Sequence, residues 1–143
     1  MFNSDLASAL NELKIDTWKY EKPPKQDIAQ LLIDKMGTTS TPGPVTGVMP
    51  IILGIDWGGK GGHVVVQDAI HTVPLMDGCF AAVCDPGDGD VHITRFKTGE
   101  VIQYEGRRVT WSMNFWGSPE INYKEGKTSQ GVIDDVIYCE TPP

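Results

Sequence analysis

The sequence has no basic run and no long apolar run, and these absences exclude two classes of partner. Over 143 residues the formal net charge is −7 at pH 7. The chain therefore lacks the excess positive charge that attracts nucleic acid and anionic lipid. No stretch approaches the roughly 18 apolar residues of a membrane-spanning helix. We therefore expect neither nucleic acid nor a membrane among the partners. The sequence leaves the oligomeric state open.

Cysteine is also scarce. Cys79, Cys84 and Cys139 cannot all pair within one chain, and the first two have no second pair nearby that would make a zinc motif. The first five residues lack the basic and then apolar pattern of a secretory signal. These features favour a cytoplasmic setting, or delivery by a secretion route without a signal peptide. We expect no cofactor.

Glycine and proline are abundant, with 16 and 10 residues, which favours turns and strands over a helical bundle. With 40% hydrophobic and 22% charged residues, the chain has the balance of a globular protein and the length to bury a core. We therefore predict a single domain over residues 1–143.

Apolar periodicity divides the chain into a helical part, 1–37, and a sheet part, 50–143, joined by a turn-rich connector. Ser4 is a candidate N-cap for the first helix, and Gly37 a candidate stop for the second. Glu105 to Arg108 reads as a charged hairpin turn. The expected class is α+β, with N-terminal helices packed on an antiparallel sheet. The predicted strands are 51–57, 63–68, 79–84, 91–96, 100–105, 108–114 and 132–138.

One candidate for chemistry is His63, which follows a glycine-rich loop and opens an apolar strand. A histidine at the first residue of a strand lies at the edge of the sheet, where its ring can face a cleft. Its ordinary pKa near neutrality suits a general base. The alternative is a histidine that only caps the strand.

Asp85 ends another predicted strand, 22 positions after His63. There it can accept a hydrogen bond from the imidazole and orient it, or it can simply open an Asp-Pro turn. Asp88 and Asp90 follow, but Phe96 stands where a calcium loop needs a glutamate. We therefore interpret 85–90 as a solvated turn and predict no metal site.

Taken together, these residues resemble the papain-like cysteine peptidases of bacteria, such as effector proteases of plant pathogens and bacteriocin-leader peptidases. The resemblance is carried by a helix at 26–36, an apolar strand at 51–57, the histidine strand at 61–66 and the Asp-Pro strand end at 83–87. It implies a papain-like half-barrel in which His63 is the base and Asp85 is the orienting acid.

The family's nucleophile is a cysteine at the start of a helix that precedes the histidine, where the helix dipole lowers the thiol pKa. This sequence has no cysteine before residue 79, and the resemblance implies that the segment carrying the nucleophile is missing. Each of the three cysteines present reads more simply as a small buried hydrophobe. Ser4 reads as a helix cap rather than a substitute nucleophile.

Three functions stay open. The chain is a papain-like hydrolase domain or fragment acting on a peptide or protein, a catalytically silent papain-like binding module, or a β-rich structural protein of a viral particle or secretion machine. We place Trp57 and Gly62 among the candidate substrate-binding residues, with core packing as the alternative for the tryptophan. Core packing is also expected for Trp111, Phe115 and Trp116, and His71 and His92 have no obvious partners.

Overall fold

The computed structural model describes residues 3–14, 16–36, 50–59, 62–72 and 78–140. Two helices lie in the N-terminal part of the chain. Helix α1 spans Asn3–Glu12, and α2 spans Ile28–Met36 after a 3-10 turn at Lys25–Asp27. Since α1 begins at Asn3, Ser4 lies inside the first turn, and its predicted role as N-cap is wrong. Gly37 and the connector to residue 49 lie outside the described residues.

Seven strands form one antiparallel sheet in the order β1-β7-β2-β3-β4-β5, with β6 pairing to β7. The predicted α+β class, with helices and an antiparallel sheet, is confirmed, but the helices do not both precede the sheet, because its strand Trp18–Glu21 lies between them. The strands are β1 at Trp18–Glu21, β2 at Ile51–Asp56, β3 at Gly62–Thr72, β4 at Cys79–Asp85, β5 at Asp90–Phe96, β6 at Gln103–Met113 and β7 at Pro119–Cys139.

The core lies between α2 and one face of the sheet. Alternate side chains of a strand point to the same face, and in β2 and β4 the buried apolar residues recur at every second position. The β2–β3 register pairs Leu53 with Val65 and Ile55 with His63, so His63 lies on this buried face. From α2 the core receives Ile28, Ala29 and Leu32.

The prediction of a hairpin turn at Glu105–Arg108 is wrong, because β6 runs through these positions as one strand. Gly106 is a strand residue paired with Ser129. A Cβ there would lie 3.4 Å from Oδ2 of Asp85 and 3.4 Å from the Tyr104 ring. These are ordinary van der Waals distances, and the glycine lies inside a strand rather than in a turn.

Strand β7 also begins earlier than predicted, because its first half pairs with β6 beyond the region where β2 pairs. In the part of the chain that the structure describes, neither helix combines the length and the apolar character needed to cross a membrane.

Candidate functional site

His63 and Asp85 meet at one edge of the sheet. His63 is the second residue of β3 and Asp85 is the last of β4, and antiparallel pairing brings these two strand ends together. Nε2 of His63 lies 2.5 Å from Oδ1 of Asp85. The predicted hydrogen bond is present, and the imidazole donates through Nε2.

The Asp85 carboxylate is only 4% exposed and is held on both oxygens. Oδ1 also accepts the amide of Gly87 at 2.7 Å, and Oδ2 accepts the hydroxyl of Tyr104. Burial by itself raises the pKa of Asp85, but the hydrogen bonds from Tyr104, His63 and Gly87 outweigh burial and hold the pKa below its ordinary value. Asp85 is therefore a stable anion beside the imidazole.

Trp57 covers the ring of His63. The two rings stack with centroids 5.7 Å apart and an interplanar angle of 23°, and Trp57 also contacts the Tyr104 ring at 6.0 Å. Trp57 packs against the hydrophobic core as well. Core packing, the alternative interpretation of this tryptophan, is therefore borne out, and its contact with a substrate stays a prediction.

His92 and Asp88 form a second histidine–carboxylate pair close to His63 and Asp85. Nε2 of His92 is 2.6 Å from Oδ2 of Asp88, and Asp88 is only 1% exposed. The interpretation of 85–90 as a solvated turn is therefore wrong for Asp85 and Asp88, and His92 does have a partner. The β4–β5 register pairs Val83 with His92, and Val83 and Asp85 lie on the same face of β4. His92 therefore lies on the same face of the sheet as Asp85, and this places the His92–Asp88 pair next to the His63–Asp85 pair.

Asp85, Asp88 and His92 offer ligand-type atoms that lie within 4.8 Å of one another. These atoms already take part in hydrogen bonds within the chain, to His63, Tyr104, Gly87 and Asp90 as well as between His92 and Asp88. A cation would have to displace those bonds, so we assign no metal to this cluster.

None of the three cysteines lies beside His63. Cys84 is exposed on the opposite face of β4 from buried Asp85. Cys79 is six residues from Asp85 along β4, which is about 20 Å of extended chain, and burial raises its thiol pKa. In the sheet, His63 pairs with Ile55, and Ile55 pairs with Ile133 of β7. Cys139 lies six residues further along β7, where it pairs with Trp18. Both buried cysteines therefore lie at the opposite ends of the strands from His63 and Asp85.

Helix α2 begins near the edge that carries His63. Nζ of Lys25, in the turn that leads into α2, lies 3.7 Å from Oδ2 of Asp56, the last residue of β2. Residues 24–36 include no cysteine. The start of α2 therefore supplies no thiol to His63.

Two cavities adjoin the paired histidines. One, of about 620 Å³, is lined by His92, Tyr104 and Gly106 among others. The other, of about 530 Å³, is lined by Gly62 and His63 among others. Trp57 lines neither of these two cavities. The predicted substrate contact of Gly62 thus has a cavity beside it, and both predicted contacts stay predictions.

Core packing is wrong for Phe115 and Trp116, which are 93% and 83% exposed in the turn between β6 and β7. The side chains of His71 and Trp111 lie outside the described residues. Sequence reasoning passed over Tyr104, which is buried in the site, because its neighbours suggested a turn. Comparison of the chain with protein-family models, curated proteins and solved structures gave no match.

Proposed function

We propose that the chain is a papain-like cysteine peptidase domain, or the part of one that carries the base and the orienting acid. His63 is the general base, and Asp85 fixes the orientation and tautomer of its ring. The observation that carries the proposal is the 2.5 Å hydrogen bond between Nε2 of His63 and Oδ1 of Asp85 at the edge of the sheet.

The two ring nitrogens of His63 have different roles in this proposal. When Nε2–H donates to Asp85, the neutral imidazole carries its lone pair on Nδ1. Among the described residues Nδ1 of His63 has no hydrogen-bond partner, and the side chain is 22% exposed. Nδ1 is therefore the atom that would take the proton from a thiol. The thiolate would then attack the peptide carbonyl carbon, and the imidazolium would return the proton to the leaving amine.

The half-barrel shape is part of the same proposal. It is supported by the edge contact between His92 on β5 and Tyr104 on β6, whose ring centroids lie 5.8 Å apart. These two strands are not paired with each other among the described residues, so the sheet must curve to bring them together. Curvature of this kind would form a cleft beside His63 for an extended peptide.

A catalytically silent binding module is the second candidate. It is favoured by one observation, the lack of any cysteine beside His63 among the described residues. In that case the same edge would bind a peptide or partner protein without cutting it.

Thiol reactivity separates the two candidates. The protein expressed from its natural coding region would be alkylated with iodoacetamide near pH 6, and each cysteine would be followed by mass spectrometry. Exposed Cys84 serves as the reference for an ordinary thiol. None of Cys79, Cys84 and Cys139 lies beside His63. The peptidase proposal therefore expects a further cysteine of the natural coding region to react at least about tenfold faster than Cys84, and to lose that advantage in His63→Ala.

Asp85→Asn is the matched test of the orienting role, and it should remove most of the same advantage. If every cysteine reacts no faster than Cys84 in the unaltered protein and in both variants, the chain has no thiolate–imidazolium pair. The peptidase proposal would then be wrong and the silent module would stand.

A further inference from the structure

We refer to the hydrogen-bonded pair His63 and Asp85 as the dyad. Tyr104 contacts the oxygen of the Asp85 carboxylate that His63 does not contact. Its side chain is buried, and its hydroxyl donates to Oδ2 of Asp85, while Oδ1 accepts from His63 and from the Gly87 amide. A carboxylate bound on one oxygen alone can rotate about its Cβ–Cγ bond. With donors on both oxygens, the Asp85 carboxylate has one orientation, in which Oδ1 faces the imidazole.

The Tyr104 ring is itself held from two sides. The Trp57 ring lies 6.0 Å away at an angle of 52°, and the His92 ring meets it edge-on at 5.8 Å and 78°. His92 is fixed in turn by buried Asp88, whose other oxygen accepts the Asp90 amide at 3.0 Å. Such edge contacts give an aromatic ring a preferred orientation as well as buried area.

We propose that Tyr104 is a positioning residue for the His63–Asp85 dyad, and that the His92–Asp88 pair holds the Tyr104 ring in place. This inference rests on the proposed function, because it assigns a residue that orients the base of that same site. Tyr104 touches neither substrate nor reacting atoms in this role. It acts through Asp85.

The groups that face Asp85 fit a donor role for the tyrosine. Titratable neighbours are His63 on β3, Tyr104 on β6, and Asp88 and His92 at the β4–β5 turn and on β5. Burial raises the pKa of Tyr104 well above its ordinary value, and the hydrogen bond to Asp85 and the charges of Asp85 and Asp88 raise it further. The hydroxyl therefore keeps its proton throughout the range in which a histidine base works.

The test is the titration of Asp85 in the folded chain, read from the carboxyl carbon resonance of aspartate labelled with carbon-13. Asp85→Asn identifies the resonance. Tyr104→Phe removes the hydroxyl and keeps the ring, and we expect it to raise the Asp85 midpoint by about one unit or more, since hydrogen bonds to charged groups are the stronger ones. Nitrogen-15 shifts should also show neutral His63 losing its uniform Nε2–H tautomer.

Tyr138→Phe is a matched control, because the buried Tyr138 hydroxyl donates to a carboxylate elsewhere, at 2.8 Å from Oε1 of Glu21. This control should leave both Asp85 and His63 unchanged. His92→Ala should move the Asp85 midpoint in the same direction as Tyr104→Phe, by a smaller amount. An unchanged midpoint in His92→Ala would overturn the part assigned to His92 and Asp88.

If Tyr104→Phe folds and leaves both the Asp85 midpoint and the His63 tautomer unchanged, the positioning role is wrong. If it does not fold, 3,5-difluorotyrosine at position 104 keeps the shape and makes the hydroxyl a stronger donor. The Asp85 midpoint should then fall, and a constant midpoint would overturn the role. These readouts need no thiol, so they can fail while the alkylation test succeeds, and the reverse.

Discussion

Nε2 of His63 lies 2.5 Å from Oδ1 of Asp85, although the two residues are 22 positions apart in the chain. The contact exists because β3 begins and β4 ends at the same edge of an antiparallel sheet. It assigns Nε2 to the carboxylate and leaves Nδ1 without a hydrogen-bond partner among the described residues.

Gly87→Ala should disturb the dyad directly. A Cβ at position 87 would lie 2.7 Å from Cε1 of His63, so the imidazole must shift or the turn must open. We expect a loss of about 1–3 kcal/mol in the free energy of unfolding in urea, with a shifted Cε1 proton resonance for His63. Gly59→Ala is the control, since a Cβ there meets nothing within 4 Å. Equal behaviour of the two variants would contradict the contact.

Acid should destabilise the protein partly through Asp85. The pKa of this carboxyl in the fold lies below its ordinary 3.8, so the folded state binds a proton less readily than the unfolded state does. The stabilisation is complete above the unfolded pKa and is lost as the pH falls through the folded value. Urea unfolding between about pH 6 and about pH 2 should show a steeper loss for the unaltered protein than for Asp85→Asn.

Glu21 does not affect the comparison between the unaltered protein and Asp85→Asn. Its pKa is also lowered, chiefly by the hydrogen bond from Lys19, but Glu21 is present in both proteins and its contribution cancels in the difference. Identical pH dependence of the unaltered protein and Asp85→Asn would show that Asp85 titrates alike in the folded and unfolded states.

Thiol accessibility should follow burial. Cys84 is exposed, whereas Cys79 and Cys139 are buried, and burial raises the pKa of Cys79. An aromatic disulfide reagent should therefore modify one thiol quickly, and the other two more slowly by a factor on the order of 100, because they react only after local opening. All three should react together in urea. Rapid modification of Cys139 would contradict its position in the core.

Gly54→Ala should be one of the costliest glycine substitutions. A Cβ there would overlap Oδ1 of Asp135. This carboxylate accepts hydrogen bonds from Asn3 at 2.7 Å and from Tyr20 at 2.9 Å. We expect a loss of about 3 kcal/mol in the free energy of unfolding.

Asp135→Ala provides the matched background for that measurement. With the carboxylate gone, the cost of Gly54→Ala should fall to about 1 kcal/mol or less, which a double-mutant cycle measures as coupling between the two sites. If the two losses simply add, steric conflict with Asp135 is not the cause.

Local patterns predicted the strands whose burial alternates. Segments 51–57, 79–84 and 91–96 agree with β2, β4 and β5 to within a residue at each end, because a strand with one buried face shows its period in the sequence. The turn predicted at Gly106 is wrong, because this residue lies inside β6. Glycine occurs both in turns and inside strands, so its presence in the sequence does not say which of the two the backbone forms.

The sequence by itself determined the two ends of the dyad, since His63 opens a strand and Asp85 closes one. It determined the antiparallel class as well, through short strands separated by turn residues. Only the tertiary structure decided what stands behind the dyad. Asp88, His92 and Tyr104 are polar residues near turns in the sequence. Asp88 and Tyr104 become buried, and half-buried His92 contacts both of them because β5 and β6 approach each other. Contacts between strands that do not pair leave no local period, so no pattern along the chain predicts them.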